Sequence, residues 1–141
     1  VLEWLLRAQK RVFVMITSTL PCCTIAFAYH DFEGITVMDD EKPRLVANLG
    51  DKTLLILRNH GLLACGRTIP EAFMNLWSLE RSCEVQVTCD STNQPMIPVP
   101  NEVLEKSEQL MAKQSMGLPV GELEFSAFVR IIDKIDSSYK D

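Results

Sequence analysis

Residues 54–66, LLILRNHGLLACG, carry one of only two histidines in a chain of 141 residues. Apolar residues run up to Arg58. Asn59, His60 and Gly61 follow, and the chain turns apolar again. An imidazole set between two segments that read as buried strands can be a metal ligand, a general base or a core histidine with a satisfied hydrogen bond. Strand ends, and the loops beyond them, are where α/β folds place ligands, so His60 stands where chemistry is commonly done. A neutral imidazole there can bind Zn²⁺ when a neighbour holds its other nitrogen. The structural alternative is a histidine hydrogen-bonded to backbone at a tight turn.

One histidine does not make a zinc site, since catalytic zinc takes three protein ligands plus water. The other histidine is His30, in AYHDFEG (28–34), flanked by Asp31 and Glu33. That stretch reads either as a carboxylate-rich polar site or as a solvated connecting loop. No HxH, HxxxH or HExxH spacing occurs. Tyr29 can act as a general acid if a metal or base tunes its phenol, or it can be a packing residue with a wet tip. Glycine-rich phosphate loops, a GxSxG elbow and an obvious Ser–His or Cys–His triad are all missing.

Composition narrows the class. Apolar residues make up 47% and charged residues 23%, as in ordinary globular proteins. The net charge is −5 with no basic patch, which argues against nucleic acid as a partner. No apolar run approaches the roughly 20 residues of a membrane-spanning helix. The opening VLEWLLRAQKRVFVMI has basic residues in its middle and reads poorly as a signal peptide; the chain is expected to be a fragment or to carry a replaced N-terminus. Five cysteines, Cys22, Cys23, Cys65, Cys83 and Cys89, show no CxxC spacing and are expected to be buried free thiols in a reducing cytoplasm.

The elements that must position these residues can be read from patterning. A short helix is expected over 2–9, a strand over 11–16, a break around Pro21, a loop over 28–34 and a short strand over 35–38. A helix follows over 39–50, acidic at its start and stopped by Gly50. Residues 52–59 and 61–66 read as strands. Residues 68–89 give the clearest helix, with Thr68 as N-cap, Pro70 in the first turn, and Ala72, Phe73, Leu76, Leu79, Cys83 and Val87 at helical spacing. Three prolines make 90–100 extended, and helices are expected over 101–114 and 122–135. Alternating strands and helices predict one α/β domain over 1–141.

Several blocks in order, AYHDFEG, then NHGLLACG, then T-EAF and an LE-SCE-QV helix, resemble the class II aldolase/adducin family over roughly residues 20–141. The ending GELEFSAFVRIIDKIDSSYKD is similar to the C-terminal helix of short family members. The resemblance implies a three-layer α/β/α domain with a mostly antiparallel central sheet, incomplete at its N-terminus. Family enzymes are metal-dependent aldehyde-lyases and epimerases acting on small sugar phosphates or related carbonyl compounds. In them three histidines hold Zn²⁺, a glutamate is the base, and the metal stabilises the enediolate. The resemblance gives His60 the role of the third metal ligand and Tyr29 that of a tyrosine protonating the aldehyde oxygen.

The family's HxH pair falls where this chain reads VFVMITSTLP, which contains no histidine, and Glu3 is the sole carboxylate before Asp31. Zn²⁺ binding is therefore expected to be poor and lyase activity weak or absent. The resemblance further implies a cytoplasmic homo-oligomer. An alternative it carries is a non-catalytic module like the adducin head, which works in the actin–spectrin skeleton. The ending DSSYKD lacks the Lys-rich segment of adducin tails, which favours the short aldolase-like branch.

Overall fold

The computed structural model describes residues 27–34, 40–95, 97, 99–114 and 120–140. The helix expected over 2–9 and the strands expected over 11–16 and 35–38 lie outside the described residues. In chain order the elements are β1 (Phe27–His30), α1 (Glu41–Leu49), β2 (Leu54–Leu57), β3 (Gly61–Ala64), α2 (Ile69–Ser91), α3 (Asn101–Gln114), α4 (Glu122–Ile135) and a 3₁₀ turn (Ser138–Lys140).

The described strands form one sheet in the order β1-β2-β3. β2 and β3 pair antiparallel, with Leu57 opposite Gly61, because a tight turn joins them. β1 and β2 pair parallel, with Phe27 opposite Leu54 and His30 opposite Leu57. The sheet is therefore mixed, not mostly antiparallel as expected. The cause is α1, which lies between β1 and β2 in the chain and returns it to run the same way. β1 also corrects the expectation of a loop over 28–34. Phe27, Ala28 and Tyr29 continue the sheet, and only the polar residues after His30 leave it.

Alternation along the strands assigns the two faces. Leu54 and Ile56 of β2 pack with Leu79 and Cys83 of α2, and Phe27, Tyr29, Leu62 and Ala64 join that cluster. The alternate residues, Leu55 and His30 among them, point the other way, where His30 meets α1. Helices thus cover both faces, with α4 packed on the outside of α2 through Phe73, Phe125, Phe128 and Trp77. Buried Leu54, Leu55, Ile56 and Leu79 form the centre, each side chain contributing roughly 1.5–3 kcal/mol of transfer free energy.

Thr68 caps α2 as expected, its Oγ accepting from the Glu71 N–H at 3.2 Å, with Pro at the first turn. The Glu71 carboxylate reaches back to accept from the Arg67 N–H at 2.8 Å. Gly121 fixes how α4 starts. Its φ of +82° favours glycine, and a Cβ there would lie 2.6 Å from the Pro70 carbonyl oxygen, so only glycine lets the two helix starts approach. Cys22 and Cys23 lie outside the described residues; among the others Cys83 is buried, whereas Cys65, just past β3, and Cys89, near the end of α2, are exposed. The expectation of buried thiols fails for those two. No described helix is long and apolar enough to cross a membrane.

Candidate functional site

The site gathers where β1 and β2 end side by side. At the tip of the β2–β3 hairpin, His60 N–H donates to the Leu57 carbonyl at 3.1 Å, closing a four-residue turn. Asn59 takes the left-handed conformation that the turn requires, φ +58°. This places His60 beyond the strand, exposed, with its ring stacked on Phe32 at 6.2 Å between centroids. His60 thus serves the turn twice: its backbone closes it, and its side chain faces a cleft.

His30 is the better buried histidine, 3% exposed at the end of β1. Its Nδ1 lies 2.8 Å from the Asn48 amide nitrogen, and its Nε2 lies 3.3 Å from Glu41 Oε1. An amide N–H on Nδ1 leaves the ring proton on Nε2, where it donates to the Glu41 carboxylate. Glu33 Oε1 stands 3.8 Å from the same Nε2. This is far from a solvated loop. Glu41 and Asn48 are two helical turns apart on α1, so both sit on the face turned to the sheet. Glu41 also lies in the first turn of α1, where the helix dipole favours a carboxylate.

Outside this pair, Arg44 grips Glu33 in a fork. Its Nε donates to both carboxylate oxygens at 2.9 and 3.0 Å, and its second guanidinium nitrogen also bonds Oε2. Asp40 lies 3.4 Å away on the same guanidinium. The Arg44 hydrogen bonds hold the Glu33 carboxyl below the usual carboxylate range, against a smaller opposing effect of burial. Arg58 begins the turn. Its guanidinium lies over the Tyr29 ring at 4.4 Å, and its Nε is 3.1 Å from Asp31.

His30, Asp31, Phe32, Gly34, Glu41, Leu45, Leu57, Arg58 and His60 line a cleft of about 50 Å³. The two histidines therefore share one cleft. Tyr29 does not line it; its ring packs edge-on against Phe27 and under Arg58, on the α2 side of the sheet. Sequence reasoning missed Glu41, Asn48, Arg44 and Arg58. The seven-residue interval between Glu41 and Asn48 on a helix beside a histidine-bearing segment is the signal that could have found the first two.

The residues do not fit the three-histidine zinc set. The chain has two histidines in all. Of these, His30 turns its ring to Glu41 and Asn48 of α1, and although it shares the cleft with His60 its ligand-bearing neighbours are Glu33 and Glu41. Among the described residues, the three ligand-bearing side chains whose donor atoms lie within 4.8 Å of one another are His30, Glu33 and Glu41, and His60 is not one of them.

Comparison with known proteins gives a consistent frame. Residues 8–87 match the family described as Class II Aldolase and Adducin N-terminal domain. A Pseudomonas aeruginosa protein named "Putative aldolase class 2 protein" is 37% identical over 120 residues, covering 82% of this chain and 45% of that protein. Alpha-adducin of Rattus norvegicus is 38% identical over 119 residues, covering 77% of this chain and 16% of adducin. The crystal structure of an aldolase II superfamily protein from Pseudomonas syringae superposes with a TM-score of 0.69 at 37% identity, covering 82% of this chain and 45% of that one. The chain spans less than half the length of the curated relatives it matches.

Proposed function

The chain belongs to the class II aldolase/adducin family, and from that premise we propose that it is an aldolase-like domain without competent zinc-dependent lyase chemistry of its own. It keeps the scaffold on which family enzymes hold a small sugar phosphate or related carbonyl compound, and it keeps His60 where they carry a metal ligand. One observation carries this reading: the chain has two histidines, and His30 groups with Glu33 and Glu41 rather than with His60.

Aldol cleavage builds negative charge on an enediolate, which must be stabilised in place. Around the described cleft the groups able to do so are His60 and Arg58, and Arg58 already faces Asp31 and Tyr29. A cleft of about 50 Å³ also falls short of the roughly 300–1,000 Å³ of pockets that enclose small organic ligands. Tyr29, the expected proton donor, belongs on this reading to the packing of the sheet. Titration with Zn²⁺ tests the proposal: a stoichiometric site of sub-micromolar affinity that His60→Ala abolishes would overturn it.

A second reading is favoured by the adducin match, which is as high in identity as the bacterial one. On that reading the domain is a non-catalytic module that binds a protein of the actin–spectrin type. Co-sedimentation with filamentous actin distinguishes it, since the aldolase-like reading predicts no bound fraction above a bovine albumin control. On either reading we place the domain in the cytoplasm, in keeping with its free thiols, and as a self-associating chain. Among the described residues α4 leaves Leu123 65% and Ile135 74% exposed, with Ile131 and Ile132 beside them, more apolar surface than one helix of a monomer usually shows. A single monomeric species in sedimentation velocity at micromolar concentration would count against self-association.

A further inference from the structure

We propose that His30, Glu33 and Glu41 form a binding site for one divalent transition-metal ion, distinct from the family's three-histidine site and independent of the lyase question. The geometry is that of a ligand triangle. Around an ion with bonds of about 2.0–2.1 Å, tetrahedral ligand atoms stand roughly 3.3 Å apart. His30 Nε2 and Glu41 Oε1 are 3.3 Å apart, His30 Nε2 and Glu33 Oε1 are 3.8 Å apart, and all three donor atoms lie within 4.8 Å of one another. Closing the longer edges takes a change of rotamer at Glu33, which is the most exposed of the three.

Three further features suit an ion. His30 and Glu41 line the cleft, so there is an entry path and room for the one or two waters that complete a shell. Asn48 holds the far nitrogen of the ring, as outer-shell partners of ligating histidines do. With the ion bound, the Asn48 amide turns so that Oδ1 accepts from Nδ1–H; the ring proton moves from Nε2 to Nδ1, and the Nε2 lone pair is freed for the ion. Arg44 answers for charge. It grips both Glu33 oxygens, Oε1 through Nε at 2.9 Å, so turning Oε1 inward opens that bond while the second guanidinium nitrogen keeps Oε2. One imidazole and two carboxylates suit Mn²⁺ or Zn²⁺ and give little to soft, thiol-seeking ions. An ion here ties the end of β1 to the first turn of α1.

Mn²⁺ is the better probe, because exposed Cys65 and Cys89 attract Zn²⁺ far more strongly than Mn²⁺. The full chain is stripped with chelator and titrated with Mn²⁺ alone, free ion being read from its paramagnetic resonance signal. One equivalent binds. His30→Gln and Glu41→Gln each weaken binding by at least about tenfold, while His60→Ala leaves it within about twofold. Asn48→Asp fixes the proton on Nδ1 and tightens binding severalfold. Should either ligand variant fail to fold, as judged by circular dichroism, the wild-type titration and Asn48→Asp still decide. A folded wild-type chain that takes up no Mn²⁺ at millimolar concentration overturns the proposal. So does affinity unchanged in folded His30→Gln, or weaker binding in Asn48→Asp. Affinity lost only in His60→Ala would overturn both this proposal and the proposed function.

Discussion

Nε2 of His30 lies 3.3 Å from Oε1 of Glu41, joining the last residue of β1 to the first residue of α1 inside the protein. Both side chains are buried, so each depends on the other for its hydrogen bond. His30→Ala leaves a buried carboxylate without its donor and is expected to cost about 1–3 kcal/mol. Asn48→Leu removes a half-buried neutral bond and costs less, about 0.5–1.5 kcal/mol. Urea midpoints measure both; equal losses would mean that the carboxylate is not the group at stake.

Gly121→Ala tests the seat of α4 on α2. The new Cβ meets the Pro70 carbonyl and the residue must keep φ near +82°. A cost of about 1–3 kcal/mol is expected, together with altered Phe125 and Phe128 ring signals in proton NMR, because those rings pack on Phe73. A variant of wild-type stability would show that the helix start can shift freely.

Glu71 gives the α2 cap a pH dependence. The Arg67 backbone N–H, first among its partners, holds its carboxyl below the usual 4.5. A depressed folded-state pKa adds stability that is present above the unfolded value and lost as pH falls through the folded one. Glu71→Gln should therefore cost about 0.5–1 kcal/mol at pH 7, and the difference should vanish once pH has fallen through the depressed folded-state value and the wild-type carboxyl is also neutral. A difference that persists unchanged into acid would assign the effect to packing.

The described thiols should separate by reactivity. Burial, helped by nearby Glu80, pushes the Cys83 thiol up to about 11, while Cys65 and Cys89 are exposed. Iodoacetamide at pH 8 should modify Cys65 and Cys89 at least about tenfold faster than Cys83, as read by peptide mass spectrometry. Comparable rates would mean that α2 opens readily from the sheet.

Much of this was legible from local chemistry. α2 follows from Thr68, Pro70 and a 3–4 apolar repeat, and the structure extends it to Ser91. The hairpin strands follow from short apolar runs around Asn59–Gly61, trimmed to Leu54–Leu57 and Gly61–Ala64. β1 was not legible, because His30 looks like the start of a polar loop and its burial depends on Glu41 and Asn48, far along the chain. Parallel pairing of β1 with β2 is likewise a non-local property, set by the α1 crossover. At the site, the exposed turn position of His60 could be read from its Asn-His-Gly setting. The packing role of Tyr29 could not, since it depends on which face of β1 meets α2.

The most direct test of the central claim is retro-aldol cleavage of a panel of ketose and aldose phosphates by the chain with saturating Zn²⁺, comparing wild type with His60→Ala. On the proposed reading both should turn over at the rate of Zn²⁺ in buffer alone. Zinc-dependent turnover well above that background, falling about a hundredfold or more in His60→Ala, would contradict the account and restore His60 as a working metal ligand.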